Sequence, residues 1–113
     1  MTKEKQRIAI AEVCGWTKIH QPIFGIDNLH GIFPNGNLSM YVPVPDYLND
    51  LNAMHEAEKM LNEAQQITYT KLLSNNQFAV DGEITKRACW ESLHATATQR
   101  AEAFLRTIEK WID

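Results

Sequence analysis

Thr96-Ala97-Thr98-Gln99-Arg100-Ala101-Glu102-Ala103-Phe104-Leu105-Arg106-Thr107-Ile108 is the stretch around which the rest of the chain is organised. Its first four residues form a T-x-x-Q capping box, in which a hydroxyl and a side-chain amide satisfy backbone N–H groups that a helix start leaves open. Ala97, Ala101, Phe104, Leu105, Ile108 and Ile112 follow at helical spacing, with Trp111 at the edge of the stripe. Glu102 and Arg106 stand four apart on the wet face, a pair worth ~0.3 kcal/mol. A helix with one apolar stripe needs other elements to cover it.

Those elements read off the preceding segments. Asp46 caps a helix expected from Tyr47 to about Leu61, with Tyr47, Leu51, Met54, Ala57 and Leu61 on one face and Asp50 and Glu58 in or beside that arc. Asn62-Glu63-Ala64-Gln65 resembles a capping box and opens a further helix, Glu63 to about Leu73, whose face is carried by Tyr69, Leu72 and Leu73. Ser74-Asn75-Asn76 stops it. At the N-terminus, Thr2 caps a helix with Ile8, Ile10, Ala11, Val13 and Cys14 as apolar positions, and Gly15 ends it in the left-handed conformation. Trp16 to His20 is then extended, and Pro22 closes the strand.

Residues 21–45 are rich in turn formers. Asn35-Gly36 between Ile32-Phe33 and Leu38-Ser39-Met40 signals a hairpin, because a type I′ turn needs positive φ at both central residues. Met40, Tyr41 and Val42 continue the return strand, and Pro43 and Pro45 confine it to a sheet edge. Asp81-Gly82 marks a second hairpin. Residues 86–94 read as a strand, with a helix placing Cys89, Trp90 and Leu93 on one side as the alternative. The order is helix, strand, hairpin, helix, helix, strand or hairpin, helix. The expectation is one α/β (α+β) domain over 1–113, a small mainly antiparallel sheet sandwiched by helices.

Composition narrows the function. The 113 residues suit a single core, and 44% hydrophobic with 22% charged residues is ordinary globular usage. The net charge of −3 offers no basic excess for duplex nucleic acid. No apolar run approaches the ~20 residues of a membrane span. Met1 to Arg7 is too charged for a signal peptide, so a cytoplasmic location is expected. Cys14 and Cys89 are far apart and read as buried thiols, and His20, His30, His55 and His94 show no metal-ligand pair at helical spacing. No metal and no cofactor is expected.

Three stretches carry a family likeness. Pro45-Asp46-Tyr47-Leu48-Asn49-Asp50-Leu51-Asn52-Ala53-Met54-His55-Glu56-Ala57-Glu58 resembles the middle helix of the phage ABA sandwich domain family. Leu93-His94-Ala95-Thr96 through Thr107, followed by Trp111, resembles its last helix, and Cys14-Gly15-Trp16 its first turn. The likeness extends to the layout of the whole chain, while Gln21–Asn37 and Asn75–Lys86 carry no matching motif. It implies a tailed-phage or prophage origin, the cytoplasm of an infected bacterial host, and a small α/β sandwich. It implies no activity and no site residues.

Candidate chemistry sits in three places. At the start of the last helix, His94, Thr96, Thr98, Gln99 and Arg100 gather where open N–H groups and the helix dipole attract an anion. Arg100 lies about 80° from the stripe centre at ~3.6 residues per turn, so its stem can pack while its guanidinium reaches the rim. The plain alternative is a simple capping box with Arg100 paired to an acid. Asp50 and Glu58 are two turns apart, about 12 Å along the axis at ~1.5 Å per residue, which suits structural ion pairs with Arg100 or Arg87 better than acid–base catalysis. Among the aromatics, Phe24 and Phe33 fall in the turn-rich segment, where exposure would mark a contact surface; the plain alternative is that both fold back over the sheet. No nucleophile motif or phosphate-cradling loop is present.

The leading expectation is a non-enzymatic phage accessory protein that sequesters a small anionic, nucleotide-derived host immune signal. Its site would be His94, Thr96, Arg100, Phe24 and Phe33, across a homo-oligomer interface. The rival is a protein-interaction module binding a host or phage protein through segment 24–41. A hydrolase with a scattered site is the third reading.

Overall fold

The computed structural model describes residues 1–21, 29–34, 40–73 and 93–112. Helix α1 spans Lys3–Val13, and the Thr2 hydroxyl accepts the Lys5 N–H at its start. Gly15 ends the turn with φ +97°, and a Cβ there would lie 3.1 Å from Pro34 Cγ. The left-handed backbone conformation favours glycine at this point, and a larger residue would also press on the Pro34 ring.

The chain then enters a three-stranded antiparallel sheet of order β1-β2-β3, with β1 at Thr17–His20, β2 at His30–Ile32 and β3 at Val42–Pro43. Thr17 pairs with Ile32 and His20 with His30, so β1 carries one residue more than β2 between those pairs. Lys18 absorbs the surplus as a bulge with φ +51°. His30 pairs with Pro43 and Gly31 with Val42. Pro43, lacking an N–H, sits on an edge strand as anticipated. Asn35-Gly36, Leu38 and Ser39 lie outside the described residues; β2 and β3 are antiparallel as expected, but the described pairing joins His30 and Gly31 to Pro43 and Val42, and Phe33, Met40 and Tyr41 are not part of the strands. The Asp81-Gly82 hairpin and residues 86–92, including Cys89, also lie outside them.

Helix α2 spans Leu51–Glu58 and starts later than the sequence suggests. Asp50, not Asp46, is its N-cap, its carboxylate accepting the N–H groups of Asn52 and Ala53 at 3.0 and 3.3 Å. Asp46 instead organises a turn over 47–49, its carbonyl accepting the Asp50 N–H at 2.8 Å. The helical phase counted from Tyr47 therefore fails at Leu51, which is 39% exposed, while Leu48 in the turn is buried. Helix α3 spans Glu63–Leu73, and Asn62 and Gln65 exchange the two capping hydrogen bonds at 2.8 and 2.9 Å. Of its anticipated face, Tyr69 is buried and Leu72 is exposed.

Helix α4 spans Ala97–Thr107 with its capping box formed. It packs against α1, α2 and α3. Ala101, Phe104 and Leu105 join Ile10, Ala11, Met54, Ala57, Leu61 and Tyr69 in one core, which Trp16, Leu29 and Val44 extend to the sheet. The fold is α+β, as the residue pattern implied. The stripe does not continue to Ile112, because Glu109 turns left-handed with φ +60° and leaves Ile112 67% exposed. Arg106 keeps its pairing to Glu102 at 3.3 Å and also stacks over the Trp111 ring at 4.9 Å.

Phe104→Ala, emptying a fully buried site, is expected to cost about 3–5 kcal/mol in urea unfolding, whereas Ile112→Ala stays within about 0.5 kcal/mol of wild type. Equal losses at both positions would contradict this core.

Candidate functional site

The start of α4 is closed by the protein itself. Thr96 Oγ1 accepts the Gln99 N–H at 3.1 Å, and Gln99 Oε1 accepts the Thr96 N–H at 2.9 Å. Thr98 Oγ1 donates to the Leu48 carbonyl at 2.8 Å, tying the helix start to the turn before α2.

Arg100 turns inward and is only 7% exposed. Its Nε donates to the Ala95 carbonyl at 3.1 Å, Nη2 to the Leu93 carbonyl at 3.5 Å and Nη1 to Glu58 Oε2 at 3.4 Å. The expectation that its guanidinium reaches the rim is corrected. A desolvated cation needs acceptors, and two carbonyls of the preceding turn and a carboxylate of α2 supply them. His94 is exposed beside this corner, and Thr96 is spent as the cap.

The Arg100–Glu58 pair is the ion pair that the helical spacing suggested for Glu58. Its other oxygen lies 3.1 Å from His55 Nδ1. The Tyr69 hydroxyl is buried beside this pair, near enough for both Glu58 and Arg100 to act on it. Burial first, then the Glu58 charge, pushes its pKa above the ordinary range for tyrosine. Tyr47 is raised in the same direction by burial and by neighbouring Cys14. Burial also pushes the Cys14 thiol up, which suits an inert side chain. Asp50 and Glu58 thus hold separate structural posts, as cap and as counter-ion.

Phe33 is exposed, standing edge-on to Trp16 at 5.3 Å between ring centres. Phe24 lies outside the described residues. Met40 and Tyr41 flank the same connection as Phe33 and are also exposed. Two shallow concavities flank α1. One of about 320 Å³ is lined by Ile8, Glu12, Trp16, Thr17, Lys18 and Ile19, and one of about 250 Å³ by Ala9, Glu12, Val13 and Lys110. Neither reaches His94, Thr96 or Arg100.

Arg7, absent from the apolar pattern of α1, is nevertheless buried. It donates from Nη2 to the Val44 carbonyl at 3.1 Å and places Nε 3.8 Å from Asp46 Oδ1, joining α1 to the strand exit. Its position three before Ile10 and four before Ala11, on the apolar side of α1, was the available signal. Among the described residues no group of three or more His, Cys, Asp or Glu side chains gathers to hold a metal ion. Among them, too, no helix is long and apolar enough to cross a membrane. No family model matches the chain, and comparison with curated proteins and with solved structures returned no match.

Arg100→Ala is expected to destabilise by about 3 kcal/mol in urea unfolding, because it strands Glu58 and two carbonyls, and Thr96→Ala by about 1 kcal/mol through loss of the cap. An Arg100→Ala variant as stable as wild type would mean that the guanidinium is not held inside. The raised tyrosines set an alkaline limit. A hydroxyl that ionises later in the folded state leaves stability intact below pH ~10 and erodes it as pH rises further. The urea midpoint should fall above that pH, and less steeply in Tyr69→Phe.

Proposed function

We propose that the chain acts without catalysis, as a module that binds a protein partner through the apolar end of its sheet. One observation carries this reading. Phe33, Met40 and Tyr41 are 53%, 59% and 45% exposed on the two sides of a single connection between paired strands. Three large apolar side chains close in sequence and flanking one connection favour association, whereas scattered exposed residues need no explanation. Aromatic and methionine side chains are also the types enriched at the buried centres of interfaces.

Capture of a small anionic nucleotide at the α4 start loses its main support. The Arg100 guanidinium on which it rests is turned inward and its hydrogen bonds go to the protein. The resemblance to the phage ABA sandwich family favours a host or phage protein as the partner and the cytoplasm of an infected bacterium as the setting.

A photo-crosslinking amino acid at position 33 or 40 is expected to join one discrete partner in phage-infected cells. The same group at exposed Lys59 on the far end of α2 should not. Phe33→Ser with Met40→Ser should abolish the adduct formed from position 41 while leaving the melting temperature within a few degrees of wild type. No adduct from either position, or equal adducts from all three, would overturn the proposal. A melting-temperature rise with cyclic dinucleotides would restore the ligand reading in its place.

A further inference from the structure

The pairing of β1 with β2 creates a further juxtaposition, which borders the proposed partner surface at Tyr41. His20 and His30 are direct cross-strand partners. Directly opposed residues in an antiparallel pair project from the same face, with Cβ atoms about 4.5–5.5 Å apart. That separation lets two imidazoles converge on one ion with metal–nitrogen bonds of ~2.0–2.1 Å.

The His20 ring is oriented for such a role. Its Nδ1 lies 3.2 Å from the Lys18 carbonyl. A carbonyl oxygen only accepts, so Nδ1 carries the proton, and in the neutral ring the lone pair resides on Nε2. A ligating histidine usually has this arrangement, with its second nitrogen donating to a backbone carbonyl that sets tautomer and ring direction. That carbonyl belongs to the bulge residue, whose φ is +51°. The Tyr41 ring stands at 87° to the imidazole, 4.8 Å between centres, and limits its rotation. His20 is exposed and His30 half-buried.

We propose that His20 and His30 form a two-nitrogen chelate on the sheet face for a divalent transition-metal ion of borderline softness, with water completing the coordination. Imidazole ligands suit copper, nickel and zinc, and oxygen-seeking magnesium and calcium find no carboxylate in this pair.

The test is titration of the full chain with nickel chloride, followed by calorimetry and by histidine ring proton resonances. One ion per chain is expected, with shifts at His20 and His30 and none at His55. His20→Ala and His30→Ala should each weaken binding by at least about tenfold, while His55→Gln leaves it unchanged. The ring resonances of wild type decide the matter even where His30→Ala fails to fold. Absence of binding at millimolar nickel, or shifts confined to His55 or His94, or undiminished affinity in folded His20→Ala, would overturn the site.

Discussion

A guanidinium that leaves water must find acceptors inside the protein, and around Arg100 that requirement joins three segments of chain. The carbonyls of Leu93 and Ala95 come from the turn entering α4, and the carboxylate of Glu58 comes from the end of α2. Tyr69 of α3 packs its ring into the same core, with its hydroxyl beside the pair. The geometry that satisfies Arg100 therefore also sets where α2 and α3 lie against α4. Arg7 does similar work at the other end, joining α1 to the exit of the sheet through the Val44 carbonyl.

These internal bonds redistribute the functional possibilities. A helix start with open N–H groups and a surface arginine would suit an anion. Here the hydroxyl of Thr96 and the amide of Gln99 occupy the cap, and the arginine faces inward. The exposed chemistry moves to the sheet, where the apolar residues flanking the β2–β3 connection and the opposed imidazoles of β1 and β2 lie. A two-residue strand on one side of β2 and a bulged strand on the other offer no long flat surface on which helices could settle, and His20, Phe33, Met40 and Tyr41 stay exposed while His30 is half-buried.

The cost of this arrangement appears in the backbone. Lys18 holds a left-handed conformation that L-residues with a Cβ adopt at ~1–2 kcal/mol, and Gly15 adopts its own without that penalty. The bulge keeps Thr17 opposite Ile32 and His20 opposite His30 at once, although the two strands differ by one residue between those pairs.

Much of the fold was legible in the residues alone. Thr2, Asn62 with Gln65, and Thr96 with Gln99 announced three helix starts, and Gly15 announced a stop, because caps obey hydrogen-bond spacings of three or four residues. Pro43 announced an edge for the same local reason, having no N–H to give. Spacing also allowed either outcome for Arg100, rim or interior, and could not choose, since its partner Glu58 stands 42 residues away. Exposure of Leu51, Ile112 and Phe33 and the meeting of His20 with His30 were likewise beyond it. Local periodicity states which side chains share a face, whereas burial and cross-strand register depend on which distant segments exclude water from that face, and only the assembled chain decides that.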